Sequence, residues 1–500
     1  MQTHSFAALR RLALSREIPL NILQVSTRDI AGGAERVAWD LFRTYREQGH
    51  GSWLAVGYKR SSDPDVFSIC NDQAAASCAR FWWRMHTRLQ PYYGRVWGAR
   101  GLCRLTHRLA EPGGVLDTFR GIEDFRYPGT WRLPYITPFA PDVIHCHNLH
   151  GKYFDLRVLP TLSRRFPLVL TLHDAWLLSG HCAHSFDCER WRTGCSKCPD
   201  LTLYPPIRRD ATASNWDRKR AVFARSRLHV ATPCRWLRRK VEESILAPAV
   251  ADARIIPYGI DLSVFCAADK RSARMTLGIP LGSTVLLFSA NGIRRNVWKD
   301  YETLRTAVTR VTARCRPENV IFIALGEDGP SEYVGAGEIR FVPYTPDATV
   351  VARYYQAADI YLHAARAETF PLAVLEALAC GTAVVATAVG GIPEQIKPLS
   401  SLLPGCLAGL ECSDAGQATG VLVPPGDAEA MAYAVESLMD DEVLRRCLGE
   451  NAAADARRRF DLEREADDYL AWFSELLDRW ETPERAITNK DTVGEPVAAT

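Results

Sequence analysis

The 500-residue chain has no uninterrupted apolar run near the eighteen residues that a membrane-spanning helix requires. A protein that crosses a bilayer is therefore not expected. The amino terminus, MQTHSFAALRRLALSREIPL, pairs Arg10 with Arg11 but reaches Arg16 and Glu17 without an apolar core, so a signal peptide is not read and a cytoplasmic location is expected. Excess charge is missing as well. Lys plus Arg number 61 against 58 Asp plus Glu, a formal +3, which gives no bulk argument for nucleic acid as a partner. The GxGxxG pattern of dinucleotide-binding loops does not follow the first apolar run.

What is present matches a soluble globular protein: 47% hydrophobic, 24% charged and 10% aromatic residues. That length exceeds one ordinary core, so two domains of roughly 200 residues are expected. Short apolar runs alternate with helical patterns from NILQVS (21–26) through WLAVG, DVIHCH, LVLTLH and LHVATP to ARIIPYG. The rhythm restarts at TVLLFSAN (284–291) and continues through NVIFIALGED, IRFVPY, IYLHAA and TAVVAT to GVLVPPGD. Such alternation predicts α/β architecture, with two doubly wound parallel sheets facing each other. The expected division is an extension over 1–19, a first domain over 20–265, a second over 266–480 and a disordered tail over 481–500, with a polar linker around 262–282. Residues 74–135 interrupt the first domain with FWWRMHTRLQPYYGRVWGARG and neighbouring segments. Arginine interleaved with aromatics suits a membrane surface or an anionic acceptor; the alternative is a solvated helix pair whose aromatics enter the core.

Ligands of open parallel sheets bind beyond the carboxyl ends of the strands, so polar residues just after each run are the candidates. Gly32 and Gly33 let backbone N–H groups approach an anion at a helix start, or else make only a tight turn. His173 ends LVLTLH, where an imidazole could meet a sugar hydroxyl or hold charge, or be structural. Three histidines in IHCHNLHG, His145, His147 and His150, form at best a weak metal set. Arg294, Arg295 and Lys299 follow TVLLFSAN and could neutralise a diphosphate, or form a solvated basic loop. In ETFPLAVLEALAC, Thr369 is the expected N-cap and Pro371 suits the first turn. This leaves Glu368 at a helix mouth that favours anions, positioned to accept hydrogen bonds from sugar hydroxyls. Glu376 lies among apolar residues of the same helix, so it needs partners: a ribose offering two hydroxyls, or a neighbouring loop that holds it structurally. Finally, Cys182, Cys188, Cys195 and Cys198 fall within seventeen of the chain's residues in a sequence that has 15 cysteines. A structural zinc knuckle with His181 and His184 as spare ligands, disulfide or redox chemistry, and unligated thiols are the three readings.

Taken together, AGGAERVAWDL, the strand-end His173, the Arg294–Lys299 spacing, Glu368-x7-Glu376, CGTAVVAT and GGIPEQI resemble glycosyltransferase family 4 over roughly residues 20–480. IHCHNLHGKYFDL and TLHDAWLLSGHCAHSFDCERWRTGCSKCP resemble its branch that builds bacterial exopolysaccharides and other surface glycans. The resemblance implies a GT-B fold of two Rossmann-like domains around an interdomain cleft, and a retaining, metal-independent hexosyltransferase of the EC 2.4 class. It implies a UDP- or GDP-sugar donor, a saccharide or polyprenyl-diphosphate-linked acceptor, no required cofactor, no nucleic acid, and peripheral contact with the inner face of the cytoplasmic membrane. By position, Gly32 and Gly33 would lie beside donor phosphate and acceptor, and His173 near the donor sugar. Arg294 and Lys299 would clamp the diphosphate, Glu368 would hold the transferred sugar and Glu376 the ribose. Gly390 and Gly391 would close the pocket. The chain departs from the family pattern in three ways. Pro371 has no N–H, which moves phosphate contact to Leu372 or Ala373. Asp300 stands where the family has glycine after the lysine. The segment 397–420 is lengthened. A catalytically idle nucleotide-sugar or carbohydrate binding protein is the alternative, favoured if Asp300 disables the clamp.

Overall fold

A computed structural model describes residues 19–480 except 31, 72–76, 94–95, 111, 315–319, 335–336, 403 and 408. Most of the extension and the whole expected tail lie outside the described residues. Seven strands, β1 (Asn21–Arg28), β2 (Gly51–Tyr58), β3 (Val66–Ser68), β4 (Val143–Cys146), β5 (Leu168–Thr171), β6 (Leu228–Thr232) and β7 (Val250–Ile255), form a parallel sheet ordered β3-β2-β1-β4-β5-β6-β7. The second sheet is ordered β10-β11-β9-β8-β12-β13-β14, from β8 (Thr284–Ser289), β9 (Val320–Leu325), β10 (Glu332–Val334), β11 (Gly337–Val342), β12 (Ile360–His363), β13 (Ala383–Thr387) and β14 (Gly420–Val423). All its pairings are parallel except the β10–β11 edge. Every residue of β4, β5, β6, β12, β13 and β14 is buried. Continuous apolar runs are what helices on both sheet faces demand. The two short edge strands β3 and β10 are absent from the sequence reading, because three residues carry too little periodicity to register.

In each lobe the strand order reverses beside the first strand, at β1/β4 and at β8/β12. Doubly wound sheets open a crevice at such a point, outside the carboxyl ends of the strands. The loops after β1, β4, β8 and β12 carry Gly32, His147, Lys299 and Glu368, so the candidate residues converge by topology.

The segment expected as a linker is instead built into the second lobe. Asp269 caps the Lys270–Leu277 helix through Ser272 N–H at 2.8 Å, and Gly278 closes it in a left-handed conformation at φ 66°. Buried Arg274 fixes it there, donating to the carbonyls of Ala357 and Ser283 and to Asp359. The Leu462–Asp478 helix returns to the first lobe: Tyr469 meets Thr171 at 2.6 Å, and Trp472 donates its indole N–H to Asp252 at 2.9 Å. Tyr469, Trp472 and Phe473 are fully buried there. Replacing Trp472 with alanine should remove about 3–5 kcal/mol, the usual cost of truncating a buried tryptophan. A calorimetric scan should show the fall; an unchanged midpoint would mean that this helix does not hold the lobes.

Candidate functional site

The Leu372–Ala379 helix presents its first turn to the β8/β12 crevice. Its N-cap is Pro371, not Thr369. The Thr369 carbonyl accepts from the Gly391 N–H at 2.9 Å, so its backbone is committed to the neighbouring loop and the turn starts later. Leu372 and Ala373 are thus the first residues whose N–H groups the helix leaves unsatisfied. Gly390 and Gly391 pack on the Glu368 and Thr369 backbone so closely that a side chain at either would strike those carbonyl oxygens, and Gly390 sits at φ 59°. Their absent side chains are what allow the two loops to touch.

Glu368 is half-enclosed ahead of this turn, in contact with the Lys299 ammonium and 3.2 Å from His363 Nε2. His363 is fully buried, and its Nδ1 lies 2.9 Å from the Tyr361 hydroxyl. Burial, then the Lys299 charge, lowers the pKa of His363, so the ring is neutral. The contacts assign the tautomer: Tyr361 donates to Nδ1, and Nε2–H donates to the carboxylate. Burial alone would raise the Glu368 pKa, but the Lys299 charge and the His363 hydrogen bond outweigh it and hold it at about 2. A charged carboxylate is thereby kept ready to accept hydrogen bonds. His363 is absent from the candidates read in sequence, although it ends an apolar run just as His173 does.

Asp300 is not an unpaired acid beside the clamp. It is buried, caps Thr303 N–H at 3.3 Å at the start of the Tyr301–Arg314 helix, and lies 3.5 Å from Arg366. Arg294 turns away from Lys299: it donates to Glu327 at 2.6 Å, to Glu332 at 3.2 Å and to the Asp328 carbonyl. The structure therefore brings Lys299, but not Arg294, to Glu368.

Glu376, 5% exposed, is satisfied within the chain. One oxygen accepts from Arg36 at 2.6 Å and the other from Tyr355 at 2.9 Å. Arg36 belongs to the Gly33–Glu47 helix of the first lobe, which Gly32 opens at φ 93°. The pair therefore joins the lobes. Glu394 does the same from the other direction, accepting from the N–H groups of Arg235 and Trp236 at 2.8 Å each.

His173 has both ring nitrogens engaged, Nε2 by His147 at 3.0 Å and Nδ1 by Tyr258 at 2.6 Å. Burial lowers its pKa to about 4, leaving a neutral ring in a hydrogen-bonded chain. His145 meets Thr171 at 2.7 Å, and His150 pairs with Asp174 at 2.7 Å; burial opposes the His150 proton, but the Asp174 charge prevails and raises its pKa. The three histidines serve separate partners.

The zinc knuckle is not found. Among the described residues no group of three or more His, Cys, Asp or Glu could hold a metal ion. Cys195 Sγ accepts from Gly180 N–H and Cys198 Sγ donates to the Asp200 carbonyl. Burial raises the pKa of Cys182, Cys198 and Cys195, the last to about 11. Cys182, Cys188, Cys195 and Cys198 are all free.

Residues 270–455 match the family model described as glycosyl transferases group 1. The protein named putative colanic acid biosynthesis glycosyl transferase WcaC from Escherichia coli (strain K12) is 27% identical over 381 residues, covering 74% of this chain and 83% of that protein. D-inositol 3-phosphate glycosyltransferase from Kineococcus radiotolerans is 32% identical over 222 residues, 41% of this chain and 47% of the relative, so the match spans about half of that protein. Among solved structures, sucrose-phosphate synthase from Thermosynechococcus elongatus superposes with TM-score 0.55 at 18% identity, covering 92% of this chain and 100% of that one. Anabaena Alr3699/HepE in complex with UDP-glucose superposes with TM-score 0.54 at 16% identity over the same shares. The architecture is thus the GT-B fold, and 270–455 is a glycosyl transferase group 1 domain.

The Lys299–Glu368 pair carries a pH signature. A carboxylate whose folded pKa is about 2 against an ordinary 4.5 stabilises the fold above pH 4.5, and that contribution disappears as pH falls toward 2. Two and a half units correspond to something on the order of 3 kcal/mol. Lys299→Met should raise the Glu368 pKa and move acid unfolding to higher pH; circular dichroism titrations of both proteins that superimpose would remove the pairing.

Proposed function

We propose that the chain is a retaining glycosyltransferase that moves a sugar from a UDP- or GDP-sugar to a lipid-linked saccharide in surface polysaccharide synthesis, at the inner face of the cytoplasmic membrane. The observation that carries this reading is the charged Glu368 at the mouth of the Leu372 helix, beside Lys299 and inside the group 1 domain. A sugar hydroxyl there meets an acceptor that is already ionised, and the diphosphate meets a cation and free helix N–H groups. As the glycosidic bond to the diphosphate breaks, negative charge grows on the leaving oxygen. Lys299 and the N–H groups of Leu372 and Ala373 are preorganised to stabilise it. This proposed clamp draws its positive charge from the protein and so works without a divalent metal.

In the same reading Glu376 receives the ribose, Gly390 and Gly391 let the backbone close over the diphosphate, and Gly32 and Gly33 border donor and acceptor. His173 supports the donor-sugar side as a neutral ring fixed by His147 and Tyr258. A part for Arg294 requires it to leave Glu327. The relative WcaC, named for colanic acid biosynthesis, supports the surface-glycan assignment, and the UDP-glucose complex of HepE supports the donor class. The idle-binder alternative drew on Asp300; the capping of Thr303 N–H gives that residue a structural task, which supports the enzymatic reading.

Purified protein given nucleotide sugar and acceptor should release nucleoside diphosphate and form a product with the donor's anomeric configuration. Glu368→Gln keeps size and loses the charge; turnover should fall by roughly 100- to 1,000-fold, the scale of removing one preorganised electrostatic group. Its thermal shift with nucleotide sugar should persist. Full turnover by a folded Glu368→Gln variant would sink the assignment.

A further inference from the structure

The insertion of the first lobe folds as a helical hairpin, Ser77–Leu89 and Ala99–Ala110, followed by a shorter helix, Pro112–Arg120. Its inner face is complete without help. Ala99, Cys103, Thr106 and Ala110 are buried at helical spacing, Trp83 is buried against them, and His86 Nδ1 lies 3.0 Å from the Cys103 carbonyl. The outer face is a second apolar surface that stays exposed among the described residues. Phe81 is 60% exposed, Leu102, Leu105 and Leu109 form an exposed stripe along the second helix, and Tyr92 and Trp97 stand in the turn, Trp97 being 100% exposed. A fully exposed tryptophan two residues before a helix that bears three exposed leucines concentrates apolar surface in one short segment.

Charge specifies the occupant. Residues 77–121 contain eight arginines and no lysine against two acids, Glu111 and Asp117; Asp117 is neutralised by Arg126 at 2.6 Å. Arg100, Arg104 and Arg108 are spaced by four along the leucine helix, and all are exposed. Leucines offer nothing to a hydrated glycan, whereas leucine, an indole at a tip and arginines able to snorkel suit the headgroup layer of an anionic bilayer. The hairpin is also near the crevice: Trp83, His86 and Gln90 face Gly57, Lys152 and Tyr153, at the end of β2 and in the loop after β4, the carboxyl side of the sheet.

We infer that the outer face of the 77–120 hairpin docks the enzyme on an anionic lipid bilayer, with Trp97 entering the interface and the crevice turned toward lipid-borne acceptor. This deepens the proposed function and rests on it for the identity of what the membrane presents. Full-length protein should co-sediment with vesicles of equal parts phosphatidylcholine and phosphatidylglycerol. Binding should be about tenfold weaker to phosphatidylcholine alone, and weaker in high salt. The double variant Trp97→Ser, Leu105→Ser should lose at least about tenfold in partitioning while its melting midpoint and its turnover of a short soluble acceptor stay unchanged. Absence of binding to anionic vesicles, undiminished binding by the double variant, retention on an anionic polysaccharide without vesicle binding, or self-association lost in the variant would each overturn the docking. Vesicle binding by a protein that transfers no sugar leaves the docking standing and removes the reaction; turnover without vesicle binding does the reverse.

Discussion

The contact between Lys299 and Glu368 orders the crevice of the second lobe, because each charge is costly there without the other. Deleting one partner of a fully buried pair typically costs about 3–5 kcal/mol because the other charge is left uncompensated; this half-enclosed pair falls below that range. The pair holds the β8 loop to the β12 loop, and the backbone repeats the link: Asp300 N–H donates to Ala364 O at 3.1 Å and Arg366 N–H to Trp298 O at 2.8 Å. His363 then sets the carboxylate's orientation from below, and the Glu368 backbone in turn seats Gly390. A change at any of these positions disturbs the same small volume. The acidity of Glu368 and the geometry of the loops are therefore one property of the fold.

Much of the fold is legible along the chain because parallel strands covered on both faces must be written as apolar runs; NILQVS, LVLT, IYLH and AVVAT are found within a residue or two of where they read. Helix ends are harder. Thr369 has the right chemistry for a cap but its carbonyl is committed to Gly391, and Asp269 and Gly278 bracket a helix inside what reads as a linker. Glu368 and Lys299 are visible because strand ends and helix starts are local features. The partners of Glu376 are not: Arg36 lies 340 positions away, and only the meeting of two lobes makes them neighbours. Arg294 reads as a free cation because its partners are 33 and 38 positions away in the same lobe, Glu327 and Glu332 reaching it from the β9 and β10 ends. The cysteine cluster shows the opposite failure, where close spacing in sequence is not matched by a metal-holding geometry.

The hairpin bears on the reaction through geometry. A soluble glycan can approach an open crevice from any side, whereas an acceptor carried by a lipid arrives only from the bilayer plane. Under the proposed docking, seating an apolar, arginine-rich face on a bilayer beside the carboxyl ends of the first sheet would restrict the orientations in which the protein rests and raise the fraction of encounters that present acceptor to the crevice. Under that proposal the two apolar faces of the Ala99–Ala110 helix answer two separate demands, one from the core and one from the bilayer.

The cross-lobe bond between Arg36 and Glu376 constrains how a nucleotide could enter. A ribose at Glu376, as proposed, would bring two hydroxyl donors to a carboxylate whose oxygens each already accept one hydrogen bond; each oxygen has a second lone pair, so the ribose either adds to Arg36 and Tyr355 or displaces one of them. Tyr355 is fully buried and on the same lobe; Arg36 is partly exposed and has Asp40 at 3.5 Å as a second partner. Arg36 is therefore the cheaper one to release, and its release would remove a link between the lobes. Burial raises the pKa of Asp40 to about 6, against the pull of Arg36, so at neutral pH a charged Asp40 is available to take the guanidinium.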